Sequence, residues 1–135
     1  MRRLYLDTSV AIHALRGTPC AEEWFDRIVN EGRFGLVSSR LLQTELTRVL
    51  RRDGQPVSRR DDILRHVDLA EVTEAILTSA ESITEHVKTL DAVHLATALA
   101  LGSRTVVVTH DSNVARVAAT LGLESDDPVR AGKGL

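Results

Sequence analysis

The sequence predicts an α/β fold, in which a central and mainly parallel sheet of four to five strands is flanked by helices. Short apolar runs alternate along the chain with longer segments whose apolar residues recur at helical spacing. Strands separated by helices are typically joined in parallel by crossover connections, which place helices on both faces of a sheet. The 135 residues, 43% hydrophobic and 27% charged, have the composition of one globular domain.

The strand candidates are short and aliphatic, as expected of a chain with only 3% aromatic residues. The clearest contains five consecutive β-branched residues, which favour extended structure. In chain order the candidates are RLYL, FGLVSS, the weak DLAEV, RTVVVTH and a short edge candidate, LESDD.

Helical segments fill the intervals between these strands. The second one has clear boundaries, since Thr18 can cap it, Pro19 suits its first position and Gly32 can end it. In chain order the helical segments are SVAIHAL, TPCAEEWFDRIVNEG, SRLLQTELTRVLRRDG, SRRDDILRHV, TEAILTSAESITEH, TLDAVHLATALALG and DSNVARVAATLG.

Charge and cysteine content exclude several classes of protein. A net charge of −2 excludes a generally basic nucleic-acid coat but leaves room for a local basic patch. The single Cys20 cannot form an intramolecular disulfide and disfavours a structural zinc site. With neither a leader nor an apolar run of about 18 residues, we expect a cytoplasmic protein without a membrane segment.

Four acidic residues occupy positions that an ordinary surface acid would not. Asp7 and Asp111 each follow a strand directly, and the carboxyl ends of parallel strands share one edge of a sheet. Glu45 lies within the apolar stripe of the third long helix. Asp91 begins a helix that is apolar nearly all round and also carries His94. The four acids are therefore candidates for one shared site.

Each of these residues also has a purely structural interpretation. Asp7 and Asp111 can cap the helices that follow them, and Asp91 can interact favourably with the helix dipole. Glu45 can extend past the apolar stripe to an arginine, and His94 is best interpreted as a hydrogen-bonded core histidine. On the sequence alone, these alternatives remain open.

The cost of gathering four carboxylates indicates what would hold them together. At about 5 Å and an effective dielectric constant near 20, each ionised pair repels by roughly 3 kcal/mol, and four acids make six pairs. Either some acids are protonated or a cation lies among them. Ligands that are all oxygen favour Mg²⁺ or Mn²⁺, and such ions support phosphodiester hydrolysis.

The motifs resemble those of PIN-domain ribonucleases, and the most similar subgroup is the VapC toxins of bacterial toxin–antitoxin pairs. The resemblance spans Leu4 to about Leu123. It implies a three-layer PIN-like fold, with residues 1–125 as the nuclease domain and 126–135 as a short tail. The segments that carry it, in order and spacing, are LYLDTSVAI, the glutamate in LLQTELTRVL, TLDAVHLATAL and VVVTHDSNVARVA.

The resemblance also implies an activity and a set of metal ligands. By position, Asp7 and Asp91 correspond to primary ligands of Mg²⁺ or Mn²⁺, and Glu45 and Asp111 complete the acidic set. The implied reaction is endonucleolytic cleavage of RNA, with tRNA, rRNA or mRNA as substrate.

Accessory residues and partners follow from the same resemblance. Ser9 and Thr109 match positions where hydroxyl groups orient the acids, and Asn113 is a further polar neighbour. The implied assembly is a homodimer, neutralised by a small VapB-like antitoxin whose C-terminal segment enters the active-site groove.

An arginine-rich segment offers positive charge for an RNA substrate. Seven of the 15 arginines fall between residues 40 and 65, although the chain has only two lysines and the enrichment can be compositional. Guanidinium groups bind phosphate through two parallel hydrogen bonds, whereas few aromatic residues are present for base stacking. The candidates for substrate binding are Arg40, Arg48, Arg51 and Arg52. Trp24 and Phe25 are either partner-facing or core residues.

Two other functions are compatible with parts of the pattern. A phosphotransferase would use Asp7 as nucleophile, but such enzymes place a second aspartate where this chain has Ser9. A non-catalytic PIN-like binding module would be expected to have lost some of the acids, and all four are present.

Overall fold

The computed structural model describes residues 2–130 of the chain. Its strands are β1 (Arg3–Leu6), β2 (Gly35–Ser39), β3 (Asp68–Ala70), β4 (Thr105–Val108) and β5 (Glu124–Asp126). They form one sheet in the order β3-β2-β1-β4-β5, and every pairing is parallel. The predicted α/β class is confirmed, and the two weak strand candidates form the three-residue edges.

Helices cover both faces of the sheet, as the three-layer prediction requires. Leu4 and Leu6 of β1 pack into one cluster and Tyr5 into another, because successive side chains of a strand point to opposite faces. In the described part of the chain the helices are α1 (Thr8–Leu15), α2 (Pro19–Glu31), α3 (Leu41–Arg52), α4 (Asp61–Leu64), α5 (Glu74–Glu81), α6 (Thr89–Ala100) and α7 (Ser112–Thr120). The first four contribute to the Leu4 and Leu6 side, and α6 and α7 pack on the Tyr5 side. None of these helices is long and apolar enough to cross a membrane.

The helix ends predicted from local sequence signals agree with the structure for α2 but not for the end of α5. Helix α2 begins at Pro19, and Gly32 ends it in the left-handed conformation at φ 62°. The predicted extension of α5 to residue 86 is wrong. Ser82 ends the helix by donating its hydroxyl to the Ser79 carbonyl, and β-branched residues follow.

Trp24 and Phe25 are core residues, which settles the alternative left open by the sequence. They are 3% and 5% exposed and lie in the cluster that includes β1 and α1. The ring of Phe25 also meets the edge of His66, with centroids 6.0 Å apart.

The C-terminal boundary at residue 125 remains a prediction. Strand β5 includes Asp126, and the Asp127 carboxylate accepts a hydrogen bond from Nδ1 of His110 at 2.9 Å. Residues 131–135 of the predicted tail lie outside the described part of the chain.

The register of the central strands determines where the functional residues emerge. Leu6 of β1 lies opposite Val108 of β4, and the Asp7 amide continues the ladder to the Val108 carbonyl at 2.9 Å. Asp7 and Thr109 therefore leave the sheet side by side at its carboxyl edge.

Candidate active site

Asp7 is held by hydroxyl groups and does not cap its helix through the side chain. It occupies the N-cap position of α1, yet its carboxylate makes no capping hydrogen bond. Instead Oδ2 accepts from Ser9 Oγ at 2.7 Å and from Thr109 Oγ1 at 2.8 Å. Asp7 is only 4% exposed, and within residues 2–130 its Oδ1 accepts no hydrogen bond. One oxygen is thus fixed and the other is left unbonded.

Glu45 is held in the same way by different groups. Its Oε1 accepts from Thr8 Oγ1 at 2.8 Å and from His94 Nε2 at 2.6 Å, and Oε2 has no hydrogen bond to a described residue. The arginine interpretation is wrong, since Glu45 pairs with His94. Burial alone would raise the pKa of Glu45, but the hydrogen bonds from His94 and Thr8 and the charge of His94 lower it.

His94 has a partner at both ring nitrogens, as expected of a satisfied core histidine. It is 2% exposed, and Nδ1 lies 2.6 Å from the Tyr5 hydroxyl. Burial alone would lower the pKa of His94, but the Glu45 hydrogen bond and the surrounding carboxylates raise it. Neither Thr8 nor Tyr5 stands out in the sequence, because their partners lie 37 and 89 residues away.

Asp111 caps α7 through one oxygen, and its other oxygen has no hydrogen bond within residues 2–130. Its Oδ1 accepts from the backbone amides of Asn113 at 2.8 Å and Val114 at 3.1 Å, so the capping interpretation holds for this residue. The Asn113 side chain turns elsewhere, donating to the His86 carbonyl and accepting from Arg116. Asn113 therefore contacts Asp111 through its backbone alone.

Asp91 lies in the first turn of α6 and is the one acid of the four without a hydrogen bond to a described residue. Burial and the negative charges of Asp7, Asp111 and Glu45 raise its pKa to about 6, against the opposing effect of His94. Asp91 therefore lies close enough to the other three acids for their charges to act on its carboxyl group.

The donors of this site suit a hard divalent cation by type and charge. Among the described residues, three carboxylates each have one oxygen fixed by two donors and one oxygen without a hydrogen bond, and burial and the negative charges of these three acids raise the pKa of Asp91. Oxygen-only donors of this kind favour Mg²⁺ or Mn²⁺. In the part of the chain that the structure describes, no three acidic, histidine or cysteine side chains are already grouped around one ion position.

The candidate arginines divide into two groups by position. Arg40 is exposed at the carboxyl edge of β2, where NH1 contacts the Thr44 hydroxyl, and Arg48 is exposed further along α3. Arg51 and Arg52 lie in the last turn of α3, about 10 Å along its axis from Glu45. Arg40 is therefore the candidate at the same edge as the acids.

Asp91→Asn should stabilise the metal-free protein near neutral pH. A carboxyl whose pKa rises from 3.8 to about 6 on folding makes the free energy of unfolding fall as the pH rises from about 4 to 6. Asparagine avoids that loss, so we expect a gain of about 1 kcal/mol at pH 7.5, reduced by partial exposure of the site. The gain should vanish below pH 4. Urea unfolding in EDTA, followed by Trp24 fluorescence, measures it.

The opposite result would support the helix-dipole interpretation of Asp91. If its main role were to face the α6 N-terminus, removing the charge would lower stability at pH 7.5.

Known proteins are similar to this chain along most of its length. Ribonuclease VapC35 of Mycobacterium tuberculosis is 28% identical over 135 residues, covering 95% of this chain and 98% of the relative. VapBC2 from Rickettsia felis, solved with a promoter DNA fragment, gives a TM-score of 0.73 at 13% identity, covering 93% and 98% of the two chains. A toxin–antitoxin complex from Klebsiella pneumoniae gives a TM-score of 0.64 at 17% identity, covering 83% and 89%.

The match to a family model covers most of the sequence. The model of the PIN domain matches residues 4–120, which include all four acids and the strands that position them. The resemblance seen in the sequence motifs is confirmed, and this chain belongs to the PIN domain family.

Proposed function

We propose that this protein is a metal-dependent endoribonuclease of the VapC type, the toxin of a toxin–antitoxin pair. One observation carries the proposal: three carboxylates at the carboxyl edge of the sheet are fixed through one oxygen each, near a fourth, Asp91, whose pKa is raised by burial and by their negative charges. The similarity to ribonuclease VapC35 along nearly the whole chain supports the same function.

The proposed cofactor is Mg²⁺ or Mn²⁺, held by Asp7 and Asp91 with Glu45 and Asp111 completing the set. When bound, such an ion would supply Lewis-acid stabilisation of the phosphate and would lower the pKa of the attacking water. Ser9 and Thr109 keep the Asp7 carboxylate in one orientation, so that its second oxygen stays available.

The substrate must approach this acidic edge despite its own negative charge. We propose that Arg40, exposed at the same edge, contacts an RNA phosphate and so offsets the repulsion. With few aromatic side chains in the protein, recognition would depend on RNA shape and backbone contacts.

The geometry does not favour the phosphotransferase alternative. Such enzymes place a second aspartate two residues after the nucleophile, whereas here that position holds Ser9, whose hydroxyl donates to the Asp7 carboxylate. A binding module would not need four acids whose mutual repulsion opposes folding.

Asp7→Asn and Asp91→Asn should each abolish Mg²⁺-dependent RNA cleavage while the protein stays folded. The matched control is Asp68→Asn, which removes an exposed acid from the edge strand β3, level with Val37 in the middle of β2. Incubation of purified protein with total RNA, followed by sequencing of the new 5′ ends, measures activity and identifies the substrate. Retained cleavage in both site variants would refute the proposal.

Arg40→Ala should weaken RNA binding through the loss of one phosphate contact. In an Asp91→Asn background, which prevents turnover, the slope of log affinity against log salt should become shallower by about 0.7 to 1. Arg51→Ala, at the far end of α3, serves as control and should leave the slope unchanged. Equal effects of the two variants would argue against a specific role for Arg40.

Expression of the protein alone should arrest bacterial growth, whereas Asp91→Asn should not. Where a small open reading frame adjoins its gene, co-expression of that frame should relieve the arrest, as expected of a VapB-like antitoxin. Sedimentation of the purified toxin tests the proposed homodimer. Arrest by the Asp91→Asn variant would show that toxicity does not depend on cleavage.

A further inference from the structure

A buried chain of polar groups lies behind Glu45, and the function proposed above does not use it. Tyr5 is fully buried in β1, and its hydroxyl lies 2.6 Å from Nδ1 of His94. The opposite ring nitrogen, Nε2, lies 2.6 Å from Oε1 of Glu45. Three elements that are distant in sequence, β1, α6 and α3, thus meet through one imidazole ring.

The direction of these hydrogen bonds follows from the chemistry of the groups. An ionised carboxylate can only accept, so His94 must carry a proton on Nε2 and donate it to Glu45. Thr8 donates to the same oxygen at 2.8 Å. Two donors on Oε1 leave Oε2 as the oxygen without a hydrogen bond among the described residues.

The Tyr5 hydroxyl holds the imidazole ring of His94 at Nδ1, the nitrogen that faces away from Glu45. Burial raises the pKa of Tyr5, so the hydroxyl stays protonated and can either donate to a neutral Nδ1 or accept from a protonated one. The imidazole is therefore held at both ends whichever charge it carries. Its orientation is set before any ligand binds.

Stability alone does not explain this chain of polar groups. Apolar side chains of similar volume hold packed elements at least as well as a buried ion pair does. Helix α3 packs with the Leu4 and Leu6 face of the sheet and α6 with the Tyr5 face. The contact crosses from one layer to the other and ends at Glu45, one of the four acids.

We infer that His94 is a positioning residue for the acidic site: supported by Tyr5, it fixes Oε1 of Glu45 and leaves Oε2 to the metal-binding set. The inference rests on the proposed function. Residues that orient ligands in this way typically change metal affinity or activity by about 10- to 100-fold when they are replaced.

The first test compares variants of His94 with a control on the same helix. His94→Leu removes the donor to Glu45, whereas His94→Gln keeps an N–H group near the position of Nε2. Leu95→Ala destabilises the same core, since Leu95 is 1% exposed, but it leaves the polar chain intact. Mn²⁺ binding without RNA, followed by electron paramagnetic resonance, gives a readout independent of turnover.

We expect His94→Leu to lower Mn²⁺ affinity and kcat by about 10- to 100-fold with little change in KM, and His94→Gln to restore much of both. Leu95→Ala should keep Mn²⁺ affinity and kcat near those of the unmodified protein at temperatures where it is folded. Unchanged Mn²⁺ affinity in His94→Leu, or an equal loss in Leu95→Ala, would overturn the inference.

A second test needs neither metal nor activity, and it applies even if His94→Leu does not fold. In the metal-free protein labelled with ¹⁵N, the Nε2–H proton of His94 should be visible and protected from exchange with water. Tyr5→Phe should weaken that protection and lower Mn²⁺ affinity by less than His94→Leu does. A Tyr5→Phe protein unchanged in both respects would overturn the role of Tyr5.

The two proposals can fail separately. If Asp91→Asn abolishes cleavage but His94→Leu does not alter Mn²⁺ binding, the positioning role is wrong and the nuclease stands. If the unmodified protein cleaves no RNA while the Mn²⁺ and N–H results are as expected, the nuclease function is wrong and the support of Glu45 by His94 stands.

Discussion

The parallel register between β1 and β4 is the constraint on which the candidate site depends. Leu6 lies opposite Val108, so the next residues, Asp7 and Thr109, leave the sheet together and their side chains form a hydrogen bond. A slip of one residue would turn every side chain of β1 to the wrong face. It would move Tyr5 away from His94 as well as separating Asp7 from its partner.

The site also depends on how the protein holds carboxylates without neutralising them. The donors to Asp7 and Asp111 are hydroxyls and backbone amides, so these contacts fix the acids but bring no full positive charge. Glu45 differs, because one of its donors is His94, which can carry a positive charge. His94 opposes the rise in the pKa of Asp91, but that pKa is still raised. An arginine among the acids would cancel their charge and remove the need for a cation. Negative charge kept in this way supports the proposal that a divalent ion binds at this edge of the sheet.

At this edge one residue combines a structural role with a proposed functional one. Asp111 caps α7 with one oxygen while the other has no hydrogen bond to a described residue, so a helix cap and a candidate ligand are the same residue. Asp7 occupies the N-cap position of α1, but its side chain makes no capping hydrogen bond and instead accepts hydrogen bonds from the hydroxyls of Thr109 and Ser9. The capping interpretation therefore holds for the side chain of Asp111 and fails for that of Asp7.

The sequence by itself determined the α/β class, the existence of all five strands, the start of α2 at Pro19 and its end at Gly32. These features follow from local patterns of apolar, β-branched, proline and glycine residues. It also identified the four acids, because their positions beside strands and within an apolar stripe are visible locally. Only the tertiary structure decided the sheet order, since edge strands of three residues carry too little pattern to specify their neighbours. It likewise decided that Glu45 pairs with His94, 49 residues away, and that Asn113 turns from the acids towards His86. Such partners are set by the packing of α3, α6 and α7 at the sheet edge, which no short segment of sequence encodes.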